Sequence, residues 1–226
     1  MSATPLQESK PRVRPARAGF APLGISLADW LRIATHLGAL IPLALLLWDG
    51  YHNHLTANPI QEITFRTGKT AIILLMLSLL CTPLNIVLGW KAVLPLRRPL
   101  GLYAFFYVCL HLLIFAVLDY GLDWGLIEQT IAEKRYVLVG FAAFLLLVPL
   151  ALTSTKGWQK RLGKRWKQLH RLVYLVALLA VIHFVWLVKS DIREPLLYGL
   201  ILAVLLLLRI SSIRRAITRL RSRLAR

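Results

Sequence analysis

Histidine is the residue in this chain best suited to chemistry, and four of its six histidines lie in or beside long apolar runs. An imidazole is costly in lipid and needs a partner there. His170 and His183 share the run WKQLHRLVYLVALLAVIHFVW, from Trp166 to Trp186. At ~1.5 Å per helical residue their thirteen steps cover about 20 Å of a ~30 Å hydrocarbon core. Neutral imidazole is the common protein ligand of haem iron, so haem is the first chemistry to consider. The plain alternative is a set of histidines that only pack or hydrogen-bond between helices. What favours haem is a match of depth. His111 lies about 18 Å into the apolar run that begins at Pro99, and His183 about 21 Å into the run that begins near Leu169. The pair can therefore ligate one iron between two helices. Two histidines fill both axial positions, which favours electron transfer over chemistry at the metal.

At the depth of His170 the run containing His111 offers no histidine, only Arg97 and Arg98. Arg97 precedes His111 by fourteen residues, an angular drift of about 40° on an ideal helix, and Arg98 by thirteen, about 140°. Arg97 thus shares the face of His111, where a guanidinium can clamp a haem propionate or a phosphate. By the same arithmetic His170 and His183 do not point into one groove on an ideal helix, so some local departure is required. His36, roughly 10 Å into the first apolar run, reads as a packing residue or a polar contact to a quinone. His52 and His54, in a His-Asn-His loop, read as surface residues. Cys81 and Cys109 lie inside apolar runs and read as small buried hydrophobes. No Ser-His-Asp set, phosphate loop, dinucleotide fingerprint or pair of membrane carboxylates is present to carry a hydrolase or a nucleotide-driven pump.

The elements that must position these residues follow from hydropathy. The chain has 226 residues, 58% hydrophobic, with mean hydropathy +0.64 and net charge +18. This is the composition of a membrane protein with one domain. Six apolar segments, Leu27–Trp48, Thr70–Trp90, Pro99–Leu118, Tyr136–Leu152, Leu169–Val188 and Pro195–Ile210, predict an all-α bundle of six transmembrane helices over residues 26–211. Residues 1–25, rich in proline and cations, predict a disordered basic tail with no removable signal peptide. Residues 212–226 form a second basic tail, able to lie as an amphipathic helix on anionic lipid. Cations cluster in alternate loops, which speaks for membrane anchoring rather than nucleic-acid binding. The N-tail, the second and fourth loops and the C-tail hold 22 of the 28 lysines and arginines, and the opposite loops hold eight of the ten acids. The asymmetry predicts that both termini are cytoplasmic.

The sequence from Thr153 to Leu175 (TSTKGWQKRLGKRWKQLHRLVYL), with AVIHFVW, RRPLGLYAFFYVCLHL and FRTGKTA, closely resembles the MsrQ (YedZ) family, within the wider ferric-reductase-like transmembrane group. The resemblance runs from the first apolar segment onward. It implies a six-helix haem b protein of the bacterial inner membrane, the haem-binding subunit of the MsrPQ methionine sulfoxide reductase system. It further implies electrons taken from the quinone pool or a flavin reductase and passed to MsrP, a periplasmic molybdopterin reductase. The family's histidine ligands map onto His111, His170 and His183, and its arginine onto Arg97. FMN is also implied, with no residue to assign to it. The wider group has four histidines, and Arg97 and Arg98 stand where the fourth would be, so one haem or two are both open. An electron-transfer subunit, with catalysis in the partner, is the leading reading. A stand-alone transmembrane ferric or quinone reductase and a haem-free membrane scaffold are the alternatives. No flavin or NAD(P)H domain follows the last apolar segment, so the donor is expected to be a separate partner or lipid-soluble.

Overall fold

The computed structural model describes residues 26–188 and 191–224, so the expected basic tail at 1–25 lies outside the described residues. Every regular element among the described residues is helical. Helix α1 (Leu27–Tyr51) starts at a capping box, in which Ser26 and Asp29 satisfy each other's backbone N–H groups. Helix α2 (Pro59–Leu88) is capped by Asn58, carries Pro59 at its first position and stops at Gly89, whose φ of +75° suits glycine. It begins well before the expected Thr70. Its first turns are too polar to read as a span, yet capping and tertiary contact keep them helical.

A 3-10 turn at Lys91–Leu96 leads into α3 (Arg97–Ile114), which ends in a π-helical turn over Phe115–Asp119. A short helix that hydropathy did not anticipate, α4 (Trp124–Glu133), precedes α5 (Arg135–Leu152). Helices α6 (Lys156–Leu162) and α7 (Lys164–Leu169) cross one face, and α8 (Leu172–Leu187), α9 (Arg193–Leu207) and α10 (Ser211–Leu224) complete the chain. Five helical stretches are long and apolar enough to span a bilayer. The sixth, α9, has 15 residues and runs into α10 through a 73° bend. The protein is an all-α membrane protein, and the expected six-helix bundle is recovered with α9 as its shortest member. Alternation of direction places the start of α1 and the end of α9 at one face of the bundle, the terminal face.

The closest-packed pairs are α2 with α3 and α5 with α8. Between them lies a core of Leu75, Leu79, Ala104, Leu147, Ala177 and Val181. The outward faces carry exposed Leu37, Ile41, Leu113, Leu145, Leu178 and Leu200, which suits contact with lipid.

Prolines within the spans free backbone groups that side chains recover. The buried Tyr107 hydroxyl donates to Ala39 O at 2.7 Å and accepts from Leu43 N at 3.1 Å, bridging the α1 ladder beside Pro42 and fastening α3 to it. Pro83 cannot donate to Leu79 O, four residues back, and Arg209 donates to that carbonyl and to the Tyr174 hydroxyl. Arg221 donates to Asn85 O and Ile86 O at the end of α2, so α10 docks beneath that helix.

Candidate functional site

Two cavities open at opposite ends of the bundle. The larger, about 1310 Å³, lies between the α2–α3 and α5–α8 pairs toward the face opposite the termini. It exceeds the ~300–1,000 Å³ of ordinary small-molecule pockets, leaving room for a large planar group. His111 from α3 and His183 from α8 both line it. Their ring centroids are 6.2 Å apart and their planes perpendicular.

Each ring is oriented by the helix it packs against. His111 Nδ1 lies 2.8 Å from Thr64 O on α2, and His183 Nδ1 lies 2.6 Å from Tyr136 O on α5. A carbonyl only accepts, so each Nδ1 carries the proton and each Nε2 keeps its lone pair. This is the usual way a backbone carbonyl fixes the tautomer of a metal-binding histidine. The spacing tests whether one metal fits between them. A metal about 2 Å from each Nε2, with about 1.1 Å from nitrogen to ring centre on both sides, sets the centroids about 6 Å apart. A separation of 6.2 Å is thus one at which His111 and His183 would be able to hold a single iron between them. Among the described residues no group of three or more His, Cys, Asp or Glu could hold a metal unaided. Two imidazoles and a roomy cavity therefore suit a metal that brings its own equatorial ligands, as haem does.

The cavity mouth is polar. Lys69 and Lys134 line it, with Asp119 and Glu128. Lys69 pairs with Glu194 at 2.5 Å, and Lys134 donates to the Tyr120 hydroxyl at 3.1 Å. That hydrogen bond raises the pKa of Lys134, so its ammonium stays charged at neutral pH. Both cations thus line the cavity with partners of their own, Glu194 and Tyr120. Sequence reasoning passed over them because they sat among the loop charges that set topology. It also passed over Gly68 and Gly140, which the rings rest against.

The remaining candidates lie elsewhere. His170 caps α7, where the helix breaks for two residues before Leu172. The break does not bring His170 into the groove of His183, since His170 lies outside the cavity that His183 lines. His170 stacks on Trp166 with centroids 4.0 Å apart, and its Nε2 lies 3.1 Å from Thr153 Oγ1. Arg97 is exposed, donating to Leu94 O at 3.1 Å and Thr82 Oγ1 at 3.2 Å. No hydrogen bond joins it to His170, and neither lines the large cavity.

The smaller cavity, about 720 Å³, opens at the terminal face between α1, α3 and the start of α6. Arg32, Arg98 and Lys156 line it with Phe106, and His36 Nδ1 lies 3.0 Å from the Tyr103 hydroxyl at its wall. Arg98, rather than Arg97, thus faces a cavity. His52 stacks on Trp48 and His54 lies beside it, away from both cavities. Cys81 and Cys109 are free thiols.

A multi-span helical bundle with one histidine on each of two central helices, facing across a shared cavity, defines the class. Accordingly, the family described as ferric reductase like transmembrane component matches residues 67–181. More narrowly, the chain belongs to the MsrQ family. It is 51% identical over 177 residues to the protein-methionine-sulfoxide reductase heme-binding subunit MsrQ of Xanthomonas euvesicatoria pv. vesicatoria, covering 76% of this chain and 81% of the relative. The MsrQ of Rhodospirillum rubrum is 48% identical over 183 residues, covering 79% and 86%. No solved structure matches.

Proposed function

We propose that this chain is the haem b-binding, electron-transferring membrane subunit of a methionine sulfoxide reductase system. The observation that carries the reading is the pair His111 and His183, 6.2 Å apart across one cavity, each with Nδ1 tied to a backbone carbonyl. A haem held there supplies a one-electron relay. The protein's part is to offer two Nε2 lone pairs, to exclude water with Phe65 and Phe184, and to meet the propionates with Lys69 and Lys134. His111 and His183 would both hold the iron of such a haem, which would supply one-electron transfer. The likeness to MsrQ heme-binding subunits favours the relay over a stand-alone ferric or quinone reductase.

Cation asymmetry supports a cytoplasmic terminal face, and the likeness to bacterial MsrQ proteins supports a location in the inner membrane. The histidine cavity would then open toward the periplasm, where the acids around it suit docking of MsrP. The smaller, cation-lined cavity would face the cytoplasmic leaflet, a suitable entry for electrons from the quinone pool or a flavin reductase. His170 and Arg97 remain candidates for a second, inner haem, as ligand and propionate clamp. FMN belongs to the same reading, without an assigned residue. The basic tail α10 would rest on anionic lipid.

Reconstitution in vesicles, with reductant confined to the terminal face and MsrP on the other, tests the proposal. MsrP should become reduced. Methionine sulfoxide reduction by this chain without MsrP would sink the relay reading, and a reporter fused to the C-terminus that works only in the periplasm would reverse the orientation.

A further inference from the structure

The two halves of the histidine site are built alike. On α2, Thr64 supplies the carbonyl and Gly68, one turn on, lies against the His111 ring. On α5, Tyr136 supplies the carbonyl and Gly140, one turn on, lies against the His183 ring. Each histidine follows its carbonyl partner by 47 residues. A shift of 72 residues carries Thr64, Gly68 and His111 onto Tyr136, Gly140 and His183. The unit is one carbonyl, one glycine a turn later, and one histidine from the neighbouring helix. It occurs twice, facing inward.

The glycines are needed for space, since both sit inside regular helix. A Cβ at Gly140 would lie 2.6 Å from His183 Nδ1, 2.8 Å from Cε1 and 3.2 Å from Cγ, closer than carbon and ring atoms can approach. A Cβ at Gly68 would lie 3.1 Å from His111 Cε1 and Nδ1, which a shift of a few tenths of an ångström could relieve. Other span glycines differ: a Cβ at Gly101 meets only Ser78 Oγ at 3.6 Å, and one at Gly199 only Val181 Cγ1 at 3.5 Å.

We infer that Gly68 and Gly140 are positioning residues for the two axial histidines, each forming a flat seat that holds the imidazole against its carbonyl and sets its plane, with Gly140 the stricter. The inference rests on the haem reading of the same cavity. Pushing the ring off Gly140 breaks the Nδ1–Tyr136 O bond and withdraws Nε2 from the iron, whereas a Cβ at Gly68 tilts the ring without removing it.

The experiment compares Gly140→Ala, Gly68→Ala and the controls Gly101→Ala and Gly199→Ala in the purified full chain by visible and electron paramagnetic resonance spectra, carbon monoxide binding and potentiometric titration. Gly140→Ala should lose the low-spin bis-histidine signal of this site and gain carbon monoxide binding. Gly68→Ala should keep its haem with shifted low-spin signals and a moved midpoint potential, and the controls should match wild type. A Gly140→Ala protein with wild-type spectrum and potential would overturn the inference. A thermal-stability cycle covers poor folding: Gly140→Ala should destabilise wild type but cost nothing further in a His183→Ala background, where no ring remains to clash. Equal cost in both backgrounds would also overturn it. A wild-type chain without haem would refute the haem reading, while the cycle would still decide whether Gly140 seats His183.

Discussion

The two ends of this bundle hold cavities of opposite character. The one away from the termini is deep, mostly apolar, and meets its contents with two neutral imidazoles held by backbone carbonyls. The one at the terminal face is smaller and presents three cations, with a histidine–tyrosine pair at its wall. Neutral, oriented nitrogen donors suit a metal, because a lone pair must be free and aimed. Exposed cations, of which Arg32 is paired with Asp29 at 2.8 Å, suit an anion that comes and goes, because charge attracts without fixing geometry. In the proposed reading one cavity retains the haem and the other receives an anionic donor.

The sharpest way to break this comparison is to remove a retained donor. His111→Ala or His183→Ala should abolish the haem of the large cavity, since nothing nearby replaces the lost axial bond. Reduced-minus-oxidised spectra decide it. A bleached His36→Ala protein beside an intact His183→Ala protein would exchange the roles of the two cavities.

A smaller effect is expected at the receiving end. Arg98→Ala and Lys156→Ala should leave that spectrum unchanged but weaken an anionic donor about five-fold each, the effect of roughly 1 kcal/mol. Initial rates of haem reduction against donor concentration measure it. Unchanged rates with altered spectra would place these cations in the cofactor site instead.

Arg97→Ala should act on an inner haem more than Arg98→Ala does. Loss of one charge-assisted contact should move its midpoint potential by about 40 mV, or roughly 1 kcal/mol. Equal haem content and potential in Arg97→Ala and wild type would remove Arg97 from any haem site.

Least of all, His36→Ala should leave the haem spectrum intact, because His36 contacts Tyr103 at the terminal-face cavity and lies outside the large one. A changed Soret band would join the two cavities into one site.

By itself the sequence determined the class of fold, because burial in lipid demands long apolar helices and each such run announces itself by length and composition. It also determined which histidines share a depth, since helical rise converts residue count into distance. Other features depended on what lies across a helix interface. The 73° bend before α10, the polar first turns of α2 and the break after His170 are set by contacts and caps that hydropathy does not register. Arg97 matched His111 by angle along an ideal helix, yet it turns to Thr82 and Leu94 while Arg98 faces a cavity, because a 3-10 turn and the neighbouring α2 redirect the start of α3. Most of all, Thr64, Gly68, Tyr136 and Gly140 act through a carbonyl or through an absent side chain. Such contributions carry no chemical signature in a sequence and become visible only where a second helix brings an imidazole against them.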